Sequence, residues 1–198
     1  MYEWRKMTPK ERRETLDWRK AVEHPWHSPP HPDLGERHYL LTAACYEHAP
    51  IIGKSDKRLA GCEKELLEAL APLAKEICAW CVLPNHYHVL VFTDKVREVG
   101  KTLGKFHGRM SYAWNGEDGC RGRTVWRNHT HRAIRSERHF WASMNYVHHN
   151  AVKHGCVEEW TDWAYSSARA FLDAIGREEA TRIWTEHPLL GYGKGWDD

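Results

Sequence analysis

The chain lacks the long hydrophobic runs of a membrane protein. No stretch of eighteen consecutive apolar residues occurs, which argues against a membrane-spanning helix. The N-terminal segment 1–6 also lacks the apolar core of a secretory signal peptide. We therefore expect a soluble, cytoplasmic protein without a membrane partner, in which the cysteines are mostly reduced.

A second cysteine pair is missing as well. Cys78 and Cys81 form one CxxC pair, and without another such pair a four-cysteine zinc site is disfavoured. If 78–81 is a strand, the two thiols point to opposite faces and cannot share a metal ion. Packing in the core is the preferred interpretation of both thiols.

The excess of charge is small but unevenly distributed. The net charge is +2, yet between Lys101 and Gly155 ten basic residues stand against three acidic ones. That segment therefore carries +7 and the remainder −5. A basic half suits a polyanionic partner, although a solvated basic surface would give the same pattern.

Patterning predicts three parts. Residues 1–36 form an N-terminal extension, with a helix that begins at the cap Thr8 and ends near Val22, followed by a proline-rich connector. Residues 37–170 form the main domain and 171–198 a helical tail. The main domain is predicted to run as strand 38–46, helix 56–76, paired strands 77–83 and 86–92, helix 94–114, an extended arm or strand pair 124–134, and helix 137–154. This order is typical of an α+β sheet with helices packed on one face.

Two histidines lie two residues apart in an apolar strand. His86, His88 and Leu90 share one face of that strand, and the residues between them supply an apolar face for the core. Burying two imidazoles is unfavourable unless each finds a partner, and a divalent cation would serve both. Two ordinary, separately satisfied histidines would give the same pattern.

A tyrosine in the last predicted helix of the main domain is the second candidate. The apolar stripe of helix 137–154 consists of Phe140, Met144, Val147 and Ala151. Tyr146 lies about 120° from that stripe, beside His139, Asn150 and Lys153. The pattern predicts a half-exposed tyrosine on a polar face, which an ordinary surface tyrosine would also show.

Together the two features suggest phosphoryl chemistry. A phenol has a pKa of about 10 and is a weak nucleophile at neutral pH. A cation on a phosphate oxygen makes the phosphorus more electrophilic, so that Tyr146 could form a covalent phosphotyrosine. The Asn150 carbonyl is a ligand that Mg²⁺ or Mn²⁺ prefers, whereas the imidazoles would also accept zinc or nickel.

These residues carry a resemblance to a known family. Leu83–Val91 resembles the HUH motif (histidine, bulky hydrophobic residue, histidine) of single-tyrosine transposases. The segments Tyr146–Gly155 and Trp163–Ser167, with Val125–Arg127 before them, are similar to the signature of the REP-associated tyrosine transposases. The resemblance spans residues 37–170. It departs from the family pattern at Ala151, where the family usually has proline.

The resemblance implies a fold, a reaction and a partner. The fold would be a ferredoxin-like antiparallel sheet with helices packed on it, the HUH motif on a central strand and the catalytic tyrosine on a helix. Tyr146 would cleave single-stranded DNA and leave a 5′-phosphotyrosine and a free 3′-hydroxyl, with Mg²⁺ or Mn²⁺ held by His86, His88 and Asn150. The partner would be hairpins of repeated extragenic palindromes, bound by a monomer or a homodimer.

Local charge also predicts DNA contact, since basic groups bind phosphates and nearby aromatic rings stack on unpaired bases. The candidate DNA-binding residues are Lys101, Lys105, Arg109, Arg121, Arg123, Arg127, Arg132, Arg135, Arg138 and Lys153.

Two other functions are open. One is a domesticated relative that binds palindromic DNA repeats without cleaving them. The other is a metal-dependent hydrolase such as a nucleotide phosphodiesterase; a histidine-triad hydrolase would need a third histidine where Leu90 stands.

Overall fold

The computed structural model describes residues 8–11, 13, 14, 17 and 36–193, and the chain divides into two units, 1–33 and 34–198. In the first unit the Thr8 N–H donates to the Glu11 carboxylate at 2.7 Å, and the Glu11 N–H donates to Thr8 Oγ1 at 3.3 Å. This capping box confirms the predicted helix start. The predicted helix end near Val22 and the proline-rich connector lie outside the described residues.

A four-stranded antiparallel sheet forms the centre of the second unit. Its strands are β1 (Arg37–Ala44), β2 (Glu76–Val82), β3 (His86–Thr93) and β4 (Thr130–Ala133). The order β2-β3-β1-β4 places β3 and β1 in the middle. The register between them sets Thr42 opposite His88 and Ala44 opposite His86.

Six α-helices accompany the sheet in the described part of the second unit. They are α1 (Asp56–Leu70), α2 (Val96–Glu117), α3 (Glu137–His148), α4 (Asn150–Lys153), α5 (Ala168–Ile175) and α6 (Arg177–Glu186). The predicted helix 56–76 is too long because α1 ends ahead of Pro72. The predicted helix 137–154 is divided at His149. In the part of the chain that the structure describes, none of the helices has the length and apolar character needed to cross a membrane.

The sheet is covered on both faces. One apolar cluster, the first core, joins α1 and α2 to Tyr87, Val89 and Val91 of β3. The second core joins α3 and α4 to Leu90 of β3 and to neighbouring strands. The predicted mixed fold of helices and antiparallel sheet is confirmed, but the expectation of helices on one face is wrong, because the strands carry apolar residues on both faces.

The CxxC cysteines do not face opposite sides. The pairing of β2 with β3 shifts between Ile77 and Ala79, and Cys78 and Cys81 both pack against the second core. The alternation expected of a regular strand fails at this irregularity. All six cysteines are free thiols, and burial raises the pKa of both members of the pair.

Two histidines are buried away from the strand pair. His107 on α2 lies 2.9 Å from the Tyr87 hydroxyl, and His148 at the end of α3 lies 2.9 Å from Ser167 Oγ. Burial, helped by a neighbouring imidazole in each case, lowers the pKa of His107 and of His148 from 6.5 to about 3. Both side chains are therefore neutral in the folded protein at and below neutral pH.

This neutrality predicts acid sensitivity. Below pH 6.5 the unfolded chain binds protons at His107 and His148 while the folded chain does not until near pH 3. The free energy of unfolding should then fall by about 1.4 kcal/mol per pH unit for each histidine. Urea unfolding between pH 6.5 and 4.5, above the range of most carboxylates, measures this slope. His148→Phe should lower the slope by about 1.4 kcal/mol per pH unit, and an unchanged slope would contradict the assignment.

Candidate active site

The histidine pair lies on the central strand β3 and faces the second core. His86 is 1% exposed and His88 0%, and their ring centroids are 5.1 Å apart. The predicted division of the strand, with Leu90 on the histidine side and Tyr87 on the other, is confirmed.

A polar neighbour orients each imidazole. His88 Nδ1 lies 2.8 Å from Thr42 Oγ1, and His86 Nδ1 lies 2.7 Å from Asn85 Oδ1. Thr42 faces His88 because the two residues are register partners on β1 and β3. Contacts of this kind fix the ring and leave Nε2 for a further partner, as the outer shell of a metal site does.

Tyr146 completes one half of the site. Its hydroxyl lies 3.3 Å from His88 Nε2, and the two ring centroids are 4.9 Å apart. The tyrosine is 2% exposed and belongs to the second core, so the prediction of a half-exposed tyrosine is wrong. A helical wheel predicts only the side of α3 that packs on the sheet. The C-terminal tail covers a second side, which includes Tyr146.

Asn150 completes the other half. Its Oδ1 lies 2.9 Å from His86 Nε2, across 64 positions of sequence. Asn150 begins α4, directly after the break at His149. One chain therefore brings together the phenol, the amide and both imidazoles.

The contacts of His86 test whether these residues fit a cation. Both ring nitrogens face amide oxygens, which only accept hydrogen bonds, whereas a neutral imidazole has one N–H to donate. If Nδ1–H donates to Asn85 Oδ1, then Nε2 carries no hydrogen. Its lone pair would then face a lone pair of Asn150 Oδ1, and the two atoms would repel each other. A charged His86 would satisfy both oxygens, but charge is costly at this depth. A divalent cation bound by Nε2 and Oδ1 removes the conflict.

Two further observations agree with this fit. Adjacent ligands of an octahedral Mg²⁺ ion stand about 3 Å apart, close to the 2.9 Å seen here. Asn150 Nδ2 is buried with no hydrogen-bond partner, and the amide presents its oxygen, the atom that a cation would bind, to His86. In the described part of the chain no three histidine, cysteine or carboxylate side chains converge as ligands, so the candidate set is His86, His88 and Asn150 with Tyr146 beside it.

The signature segment 163–167 anchors the tyrosine helix. Ser167 Oγ accepts a hydrogen bond from the Trp80 N–H of β2 at 2.9 Å and also contacts His148 Nε2. Ser166 forms an isolated bridge with Cys81. Since His148 follows Tyr146 by two residues, these bonds hold the end of α3 against the sheet.

The C-terminal tail covers the tyrosine. The Tyr192 ring lies 5.8 Å from that of Tyr146, and Lys153 Nζ lies 5.2 Å from the Tyr146 ring and 3.5 Å from the Gly193 carbonyl. Gly193 has φ +78° and sits so close that a Cβ there would overlap the Tyr146 ring. Only glycine fits this position without displacement.

We therefore expect Gly193→Ala to push the tail off the tyrosine. The alanine is disfavoured both by the positive φ and by the overlap, so the tail should become more accessible while the sheet stays intact. Limited proteolysis should cleave near 189–193 faster in this variant. Gly176→Ala, which has positive φ but open space, is the matched control, and equal cleavage of both variants would contradict the close contact.

The structure separates the candidate DNA-binding residues into two groups. Lys101, Lys105 and Arg109 lie on the exposed side of α2, in the layer across the sheet from His86. The same layer holds Arg121, over the Tyr112 ring at 4.1 Å, and Arg123, paired with Asp118 at 2.7 Å. Arg109 pairs with Glu65 at 3.5 Å. None of these five side chains lines the candidate site.

The other group lies nearer the site. Arg127 donates its N–H to the Ala44 carbonyl, and Ala44 pairs with His86. Arg132 lies opposite Leu40 of the second core, and Arg135 and Arg138 flank the exposed start of α3. Lys153 contacts the tyrosine ring. A role in DNA binding stays a prediction for all ten residues.

Several site residues escaped the sequence argument. Thr42, Asn85, Tyr192 and His154 contact the predicted ones, the last with its ring 4.7 Å from His86, and Ser143 contacts Tyr192. Asn85 and His154 stand inside the motif segments and could have been singled out. Thr42 and Tyr192 carried no local signal, because only strand register and the path of the tail bring them here.

Comparisons with known proteins agree with the resemblance. No family model matches the chain. A Haemophilus influenzae protein named for the REP-associated tyrosine transposases is 30% identical over 132 residues, which cover 58% of this chain and 69% of that protein. The REP-associated tyrosine transposase of Escherichia coli K12 is 29% identical over 101 residues, 46% of this chain and 53% of the relative.

A solved structure shares the fold. It is that of a REP-associated tyrosine transposase bound to a REP hairpin, with a TM-score of 0.57 and 18% identity over 72% of this chain and 83% of that one. The family follows from the Haemophilus influenzae relative, which is 30% identical and is covered over 69% of its length: the chain belongs to the REP-associated tyrosine transposase family.

Proposed function

We infer that this protein is a metal-dependent, single-tyrosine DNA endonuclease and strand transferase that acts on single-stranded or hairpin DNA. The observation that carries the proposal is the meeting of the Tyr146 hydroxyl with His88 Nε2 at 3.3 Å, beside the His86–Asn150 contact of 2.9 Å. The order β-α-β-β-α-β of the sheet and its first two helices is that of a ferredoxin-like domain, with the histidine pair on a central strand.

The chain's residues have distinct roles in the proposed reaction. The Tyr146 oxygen attacks the scissile phosphorus, the bond from phosphorus to the 3′ oxygen breaks, and a 5′-phosphotyrosine forms. The phenol proton leaves to solvent and the 3′ oxygen gains one. Because one phosphate ester replaces another, the linkage can later be returned to a 3′-hydroxyl, which is strand transfer.

The cation would be Mg²⁺ or Mn²⁺, held by His86, His88 and Asn150. When bound it would polarise a phosphate oxygen and offset the charge that develops during attack. Thr42 and Asn85 contact the Nδ1 atoms and so hold both imidazoles with Nε2 toward the proposed metal position. The second core packs around the Tyr146 ring and would hold the phenol in position for attack.

The proposed partner is hairpin DNA of the repeated palindromic type, since the similar solved structure holds a REP hairpin. Arg127, Arg132, Arg135, Arg138 and Lys153, on the side of the site, are the first candidates for phosphate contacts. DNA would have to reach the layer on the other side of the sheet to contact the remaining candidates, which are Lys101, Lys105, Arg109, Arg121 and Arg123.

The test is a covalent adduct. Labelled hairpin oligonucleotides incubated with the protein and Mn²⁺ or Mg²⁺ should give a protein–DNA band that survives denaturing electrophoresis and disappears with a chelator. Hairpin binding on native gels without an adduct under either metal would favour the non-cleaving binder instead.

A further inference from the structure

The end of β1 lies between the histidine pair and a basic residue of the segment that precedes β4. Arg127 donates its backbone N–H to the Ala44 carbonyl at 2.8 Å, and the neighbouring residues Trp126 and Cys45 form an isolated antiparallel bridge. Ala44 is in turn the register partner of His86 on β3. His86, Ala44 and Arg127 therefore form one row across three adjacent segments of extended chain.

The side chains of this row lie on the face of the sheet that carries the candidate site. Directly opposite residues of an antiparallel pair have their side chains on the same face. Trp126 lies on the other face, because its ring centroid is 5.9 Å from that of Tyr87 in the first core. Successive residues of an extended segment alternate between faces, so Arg127 faces the same side as His86.

Small side chains of β1 lie between the two ends of the row. On the face of the candidate site the end of β1 carries Thr42 and Ala44, and both are half-buried. Because the Ala44 side chain ends at Cβ, the middle of the row does not separate the longer side chains of His86 and Arg127.

We propose that Arg127 binds the same backbone phosphate as the cation of the candidate site, from across β1, and is a further catalytic residue. The proposal rests on the proposed function. Neighbouring strands are about 4.8 Å apart, so the Cα atoms of His86 and Arg127 are about 10 Å from each other. An extended arginine side chain covers most of that distance, and a phosphate held beside His86 would occupy the rest.

The chemistry of a guanidinium suits this position. Its planar fork donates two parallel hydrogen bonds to two oxygens of one phosphate. Arg127 is exposed, and within the described residues it forms no ion pair that a phosphate would have to displace. Two fixed positive groups, one on each side of the phosphate, would offset the negative charge that develops while Tyr146 attacks.

Binding measurements can identify the shared phosphate. All proteins carry Tyr146→Phe so that DNA is not cleaved, and affinity is measured first with a chelator and then with Mn²⁺. The probes are hairpin oligonucleotides with single-stranded tails, in which one phosphate at a time is a neutral methylphosphonate. Arg127→Gln removes the guanidinium and keeps the backbone N–H that bonds to Ala44. Arg177→Gln, at an exposed arginine that begins α6, is the matched control.

One phosphate should depend on both groups. With the chelator, neutralising it should weaken binding about tenfold in the Arg177→Gln control and less than about twofold in Arg127→Gln, because the guanidinium is already absent. Neutralising the same phosphate should also remove the gain in affinity on adding Mn²⁺. Arg127→Lys keeps the charge without the fork and should restore part of the effect. If Arg127 and Mn²⁺ depend on different phosphates, or Arg127 on none, the proposal is wrong.

Adduct assays on protein with Tyr146 intact distinguish this inference from the proposed function. An adduct without a shared phosphate overturns the role of Arg127 and leaves the proposed function standing. A shared phosphate without an adduct under Mn²⁺ or Mg²⁺ supports the phosphate contact of Arg127 and overturns the cleavage reaction. Failure of every protein to bind DNA overturns both.

Discussion

Replacing Tyr146 with phenylalanine should abolish the covalent adduct while leaving the protein folded. The substitution removes one oxygen, which lies 3.3 Å from His88 Nε2, and keeps the ring in the second core. Loss of a nucleophile costs on the order of 10⁴-fold or more in rate. The adduct band should therefore vanish, whereas hairpin affinity and the thermal midpoint change little.

The matched control for this variant is Tyr112→Phe. Tyr112 is 72% exposed on α2, in the layer across the sheet from the histidines. The Tyr112→Phe protein should form the adduct at the wild-type rate. An adduct that persists in Tyr146→Phe at comparable yield would remove Tyr146 from its assigned role.

Replacing His86 with alanine should give the second largest effect. The substitution removes the imidazole that contacts the Asn150 amide oxygen. The proposed metal site then keeps only His88 and Asn150 as ligands. Removal of outer-shell partners costs about 10–100-fold in metal affinity, and loss of a direct ligand should cost at least as much. Adduct formation at limiting Mn²⁺ should fall by that factor or more.

A graded series sharpens this result. Thr42→Val removes the 2.8 Å contact to His88 Nδ1 but keeps the side-chain shape, so it should be milder and should recover at high Mn²⁺. His187→Ala, a half-buried imidazole at the end of α6, is the control and should have no effect. Equal activity of His86→Ala and wild type at limiting metal would exclude His86 as a ligand.

The histidine pair was predictable because its signal is local. Strand periodicity alone assigns His86 and His88 to one face and Tyr87 to the other, and the two cores follow that division. Asn150 was predictable by the same logic on a helix, even though α3 breaks at His149 between it and Tyr146.

The surroundings of the tyrosine were not predictable. Helical spacing placed Tyr146 on a polar face, but Tyr192 and Gly193 return from far along the chain to bury it. Likewise, charge counting could not tell which side of the sheet α2 would cover. Lys101 and Lys105 therefore looked equivalent to Arg132, although they lie in the opposite layer.

The most direct test of the shared site is the magnetic coupling of bound Mn²⁺ to nitrogen. Pulsed electron paramagnetic resonance of the Mn²⁺-loaded protein should detect two imidazole nitrogens as direct ligands. One nitrogen should be lost in His86→Ala and one in His88→Ala, and both should be retained in Tyr146→Phe. Tightly bound Mn²⁺ without any coupled imidazole nitrogen would contradict a catalytic centre built on this pair.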